Sequence, residues 1–134
     1  MDSMYREIIL EHHKSPHNFG TLEPADYTAE DTNPLCGDQI RVDLRVDENN
    51  VVTDVAFSGR GCAVSIASAS MLTDMIKGMT LDEVRAITRD DLLDEIGIPV
   101  SPARIKCATL GLNVLNLGIA LKEAHSHQPA EAGT

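Results

Sequence analysis

From Gln39 to Asp47 polar and apolar residues alternate without exception. A side-chain period of two puts Ile40, Val42, Leu44 and Val46 on one face and charged or amide side chains on the other. The segment is therefore a strand with one wet face. Glu48-Asn49-Asn50 has turn chemistry, and Val51 to Ser58 is again rich in strand formers, so the two runs predict a hairpin. Ser58-Gly59-Arg60-Gly61 is expected to break the second strand, and from there the pattern turns helical. Strands and helices so segregated predict an α+β fold, a small antiparallel sheet with helices packed on one face.

The helical segments carry their own punctuation. Asp2 to Lys14 places Tyr5, Ile8, Ile9 and His12 on one face, and Pro16 ends that helix. Residues 15–35, with Pro16, Gly20, Pro24 and Pro34, predict a loop with a short extended piece around Tyr27. Ala63 to Leu72 is a helix of small side chains suited to close packing, with Gly78 as its expected C-cap. Thr80-Leu81-Asp82-Glu83 and Thr88-Arg89-Asp90-Asp91 read as capping boxes that start two short helices. After a loop marked by Gly97, Pro99 and Pro102, Ala103 to Ala124 predicts a final helix. Its expected apolar stripe is Cys107, Leu110, Val114, Leu117 and Leu121. A chain of 134 residues is one domain. Residues 1–124 are expected to form it and residues 125–134 a disordered tail.

Composition excludes several functions. With 21 acidic and 11 basic residues the net charge is −10, the wrong sign for a phosphate backbone, so no nucleic-acid partner is expected. No apolar run is read as a membrane span, and the polar, acidic N-terminus does not resemble a secretory signal, so a cytoplasmic protein is expected. The three cysteines cannot all pair, and a reducing compartment keeps them as thiols.

Cys36 precedes a strand in Pro34-Leu35-Cys36-Gly37-Asp38, Cys62 follows a glycine-rich turn at a helix start, and Cys107 lies in the first turns of the last helix. A free cysteine is most often a small buried hydrophobe. These three instead sit at element boundaries beside glycine or a base. A helix N-terminus favours thiolate, and Arg60, Arg104 and Lys106 are expected to lower the thiol pKa further. No Cys-x-x-Cys pair is present, so a metal site would have to be assembled by the fold. The best candidate for a fourth ligand is Asp38, and a carboxylate among thiolates is a weaker ligand for soft metals, which suits release better than permanent retention. Ser65, Ser68 and Ser70 read as packing residues. His12, His13 and His17 offer no recognisable motif, and His125 and His127 belong to the tail.

At these residues the chain resembles the iron–sulfur cluster assembly scaffolds of the IscU/SufU/NifU N-terminal type. The resemblance runs through Tyr5-Arg6-Glu7-Ile8-Ile9, Pro16-His17-Asn18-Phe19-Gly20, Asn33 to Asp38, Phe57 to Ser65 with Ala69-Ser70, and Ala103 to Ala108. It implies a SufE/NifU-like sandwich in which Cys36, Asp38, Cys62 and Cys107 converge to hold a [2Fe–2S] cluster or Zn²⁺ at the same site. It also implies a cysteine desulfurase as sulfur donor, with Cys36 as the candidate sulfur acceptor and Cys107 as the alternative, and acceptor apo-proteins as recipients. Three thiolates and a carboxylate leave net negative charge around a cluster, which nearby Arg and Lys would screen. The implied activity is that of a scaffold rather than an enzyme, the other implied activity being a zinc-dependent sulfurtransferase. Arg104-Ile105-Lys106-Cys107-Ala108-Thr109-Leu110 looks like the SufU branch, whereas the short stretch before Cys107 looks like IscU or NifU. Val100-Ser101-Pro102-Ala103-Arg104 replaces the Leu-Pro-Pro-Val-Lys chaperone motif, so a dedicated Hsp70-type chaperone is not an expected partner.

Overall fold

A computed structural model of the chain describes residues 3–33, 37–97 and 102–127. The elements run α1 (Ser3–Lys14), β1 (Tyr27–Asn33), β2 (Asp38–Val46), β3 (Val52–Arg60), α2 (Ala63–Ile76), α3 (Leu81–Arg85), α4 (Arg89–Ile96) and α5 (Pro102–His127). The strands form an antiparallel meander in the order β1-β2-β3. This is the expected α+β architecture with one strand more than the predicted hairpin. The short extended piece expected around Tyr27 is a full strand, Tyr27-Thr28-Ala29-Glu30-Asp31-Thr32-Asn33, which has few apolar residues yet pairs along β2 from Tyr27↔Leu44 to Asn33↔Asp38. As an edge strand it buries little, and charge on an edge discourages pairing with other chains.

The alternation in β2 works as expected. Ile40, Val42 and Leu44 are buried with Val55 and Phe57 of β3, and α2 and α5 complete that core through Ile66, Leu72, Val114 and Ile119. β3 does not break at Ser58 but continues to Arg60. Gly59, at φ +135°, makes this possible, because a Cβ there would strike the Gln39 carbonyl oxygen across the ladder. Both short helices begin with reciprocal capping boxes, Thr80 with Glu83 and Thr88 with Asp91, and Gly97 closes α4 in the left-handed conformation. At the end of α2, however, Lys77 is the C-cap. Gly78 follows it at φ +85° and donates its N–H to the Val52 carbonyl.

α5 departs furthest from its sequence reading. It starts with Pro102 at its first position and runs to His127, beyond the expected Ala124, while residues 128–134 lie outside the described residues. Its stretch from Ile105 to Lys122 is long and apolar enough to pass for a membrane span, contrary to expectation, but more than half of it is buried in the fold. Packed beside α2 on the sheet, α5 buries Ala108, Leu112, Leu115 and Ile119 besides Leu110 and Val114, whereas Leu117 and Leu121 of the expected stripe are exposed.

The outer face of the sheet is crossed by residues 18–26. Asn18 and Gly20 hydrogen-bond to Phe57 at the free edge of β3. The segment then passes over Asp43, whose carboxylate accepts the Leu22 N–H at 3.1 Å, the Thr28 hydroxyl and Arg41 Nε at 3.0 Å. It ends where the Asp26 N–H meets the Leu44 carbonyl. Burial alone would raise the Asp43 pKa, but these donors hold it below the usual carboxylate range. α1 and the start of this segment are pinned to α2 by side chains read from sequence as unremarkable. His12 Nδ1 lies 2.6 Å from Ser70 Oγ, which also accepts the His17 N–H at 2.8 Å. Asp74 accepts from His17 Nδ1 at 2.6 Å and from Asn18 Nδ2 at 2.9 Å.

Candidate metal centre

Three of the four candidate ligands meet at the end of the molecule where α2 and α5 begin. Asp38 is the first residue of β2 and points to the core side, in phase with Ile40 and Val42. Cys62 is the N-cap of α2, in extended conformation at φ −72° and ψ 168°. Cys107 lies in the second turn of α5. One carboxylate oxygen and the two sulfurs all lie within 4.8 Å of one another, with Asp38 and Cys107 buried and Cys62 half-buried. Cys36 lies outside the described residues, as does the side chain of Arg104.

The carboxylate of Asp38 is divided between two tasks. Its Oδ1 accepts the Cys62 N–H at 3.0 Å, while its Oδ2 lies 3.8 Å from Cys62 Sγ. The amide that orients it is one of the orphan donors of a helix N-terminus. Gly61 leaves room for this arrangement, since a Cβ there would sit 2.7 Å from Asp38 Oδ1 and collide with Ser65 Oγ. Ser65 is therefore more than a packing residue. Its hydroxyl donates to the Cys62 carbonyl at 3.0 Å and lies 3.7 Å from Cys62 Sγ.

Burial pushes the Cys62 thiol up and the Asp38 charge adds to that. The net shift is nevertheless downward, because hydrogen bonding with the Ser65 backbone and side chain and with the Cys107 side chain favours the charged sulfur. The sequence pointed to Arg60 for this effect, but the leading partners are Ser65 and Cys107. Ser65 could have been found from its place at the third position of a helix whose cap is a cysteine, where N–H groups are free. Two thiols and a carboxylate held this close form a donor set that fits a borderline or soft metal and, among the described residues, supplies three of the four ligands of a tetrahedron.

Fold and site thus define a class, a small α+β domain with a cysteine–carboxylate cluster at one end of its helices. The NifU-like N-terminal domain family matches residues 4–128, and the chain belongs to that family. Among curated relatives it is 37% identical to the zinc-dependent sulfurtransferase SufU of Bacillus subtilis, covering 92% of this chain and 94% of that protein. That alignment spans 140 positions, more than the 134 residues here, so the Bacillus protein carries residues that this chain lacks. It is 38% identical to the iron–sulfur cluster assembly scaffold protein IscU of Aquifex aeolicus, covering 89% of this chain and 76% of that one. Among solved structures, the N-terminal NifU-like protein of Brucella abortus superposes with a TM-score of 0.73 at 28% identity, covering 92% of this chain and 96% of that one.

Proposed function

We propose that this protein is an iron–sulfur cluster assembly scaffold, in which Cys36, Asp38, Cys62 and Cys107 hold iron and sulfide as cargo and release a [2Fe–2S] cluster to acceptor apo-proteins. The observation that carries the reading is the Asp38–Cys62–Cys107 cluster, with a carboxylate where a permanent site would have a fourth thiolate. The 3.8 Å between Asp38 Oδ2 and Cys62 Sγ supports it. Sulfur at about 2.3 Å and oxygen at about 2.1 Å from one tetrahedral ion would be about 3.6 Å apart, so little movement is needed. The Cys62 N–H occupies Oδ1 and leaves Oδ2 as a single, hard donor on a soft centre, an arrangement that favours release. The hydrogen bonds that lower the Cys62 thiol pKa favour thiolate, the form that binds metal.

A second reading is favoured by one observation, the near full-length similarity to a zinc-dependent sulfurtransferase. In it the same residues hold Zn²⁺ and one thiolate, Cys36 or alternatively Cys107, attacks the outer sulfur of a desulfurase persulfide. A new S–S bond forms on the acceptor, the donor S–S bond breaks, and the desulfurase cysteine leaves as thiolate.

Anaerobic incubation with ferrous iron, cysteine, a cysteine desulfurase and dithiothreitol as reductant tests the first reading. A visible sulfur-to-iron charge-transfer chromophore that an apo-ferredoxin removes is expected, and Asp38→Ala should slow that transfer. Zinc that iron does not displace, together with faster desulfurase turnover and no chromophore, would overturn the scaffold reading in favour of the sulfurtransferase.

A further inference from the structure

The opposite end of α2 carries a feature that the metal centre does not use. Past Ile76, where the chain turns through Gly78 into α3 and α4, a groove of about 350 Å³ opens between Met75, Met79, Ala86 and Ile87, with Glu83 and Asp91 on its rim. Ile87 is buried, while Met75 and Met79 are partly buried against the core. Methionine side chains are unbranched and polarisable, and they adapt to apolar groups of different shape. The rim is held in place, because Glu83 Oε1 accepts the Thr80 N–H at 2.9 Å and Asp91 Oδ2 accepts the Thr88 N–H at 2.9 Å. Each carboxylate retains further acceptor sites.

Charge identifies the occupant. Between Thr80 and Gly97 the chain carries Asp82, Glu83, Asp90, Asp91, Asp94 and Glu95 against only Arg85 and Arg89, and Arg85 is paired with Asp82 at 2.5 Å. We propose that this groove docks a basic peptide segment of a partner protein, which inserts apolar side chains between Met75 and Met79 while its Lys or Arg residues meet Glu83 and Asp91. A second copy of this chain is a poor occupant, since it would bring a net charge of −10 to an acidic groove. The 14 residues of α2 separate the groove from Cys62, about 21 Å at the rise of an α-helix. A partner held here leaves the thiol end open, so it can remain bound while a sulfur donor or a cluster acceptor comes and goes.

The test is a titration of full-length protein, ¹³C-labelled at methionine methyls, with a short amphipathic Leu/Lys peptide and with a scrambled peptide of the same composition but no apolar face. The amphipathic peptide should shift the Met75 and Met79 methyl resonances to saturation, leave buried Met71 unmoved, and bind more weakly as salt rises. The double variant Glu83→Gln/Asp91→Asn keeps the capping oxygens and removes both charges. It should melt at the wild-type temperature and bind about tenfold more weakly, the equivalent of about 1.4 kcal/mol. The proposal fails if the Met75 and Met79 methyls stay still while other resonances move. It also fails if the scrambled peptide shifts them equally, or if the folded double variant binds as the wild type does.

Discussion

Gly61→Ala is the sharpest probe of how Asp38 is held. The added Cβ would collide with Ser65 Oγ and lie 2.7 Å from Asp38 Oδ1 and 3.0 Å from its Cγ, where ordinary contact begins near 3.4 Å. Ser65 can rotate away at the cost of its bond to the Cys62 carbonyl. Asp38, only 1% exposed, has no such freedom, and its carboxylate must retreat by about 0.7 Å, which stretches its 3.0 Å bond from the Cys62 amide. A hydrogen bond to a charged group is worth about 1.5–3 kcal/mol and overpacking adds about 1 kcal/mol. A loss near 3 kcal/mol corresponds to a melting temperature lower by about 10 °C for a domain of this size. Displacing a ligand's support should also weaken metal binding about 10–100-fold, measured by competition for Zn²⁺ against a chromophoric chelator. Adding Ser65→Ala relieves the hydroxyl clash but not the carboxylate one, so stability should recover in part while metal affinity stays low. Wild-type melting and metal affinity in Gly61→Ala would refute the idea that this glycine sets the position of Asp38.

Gly111→Ala is the matching control. Its Cβ would meet Ala69 Cβ at 3.4 Å and Leu72 Cδ2 at 3.6 Å, ordinary contacts in mid-helix, so melting should rise by an amount equivalent to about 0.5–1 kcal/mol. Asp43→Asn should destabilise the protein at neutral pH and flatten its acid limb in thermal melts. Because the folded pKa of Asp43 is depressed, its stabilisation is present above the unfolded carboxylate pKa and is lost as pH falls through the folded value. Ser65→Ala removes a hydrogen-bond partner of Cys62 and should raise the thiol pKa of the metal-free protein, seen as slower alkylation of Cys62 by iodoacetamide at neutral pH. Thr80→Ala and Thr88→Ala each delete a capping box and should cost about 1 kcal/mol in denaturant unfolding.

What was legible in the sequence was local. The alternation of β2, the two capping boxes and the place of Cys62 at a helix start each depend on residues a few positions apart, and all three stand in the structure. What was missed depends on contacts far apart in the chain. β1, expected only as a short extended piece around Tyr27, runs the full length to Asn33 because β2 offers it a ladder, not because its own residues alternate. Gly59 lies in a strand because Gln39 passes close to it. The buried face of α5 is wider than a single stripe because both α2 and the sheet pack against it. The role of His12, His17 and Ser70 in fastening α1 to α2 links positions more than fifty residues apart, a pattern that no local periodicity encodes. For the candidate site, the position of the cysteines at element boundaries and the family resemblance nominated Cys36, Asp38, Cys62 and Cys107, spacing did not, and the shared location of Asp38, Cys62 and Cys107 required the fold.

The cluster draws its members from the start of β2, the start of α2 and the second turn of α5, the last of the described elements in chain order. While the chain is being made, the carboxylate and the Cys62 thiol emerge well before Cys107, and the ligand set closes only when α5 settles against α2 and the sheet. A chain without α5 therefore presents an incomplete set of donors, and the candidate centre is assembled together with the finished core. The proximity of these three donors thus reports that α5 has docked against α2 and the sheet.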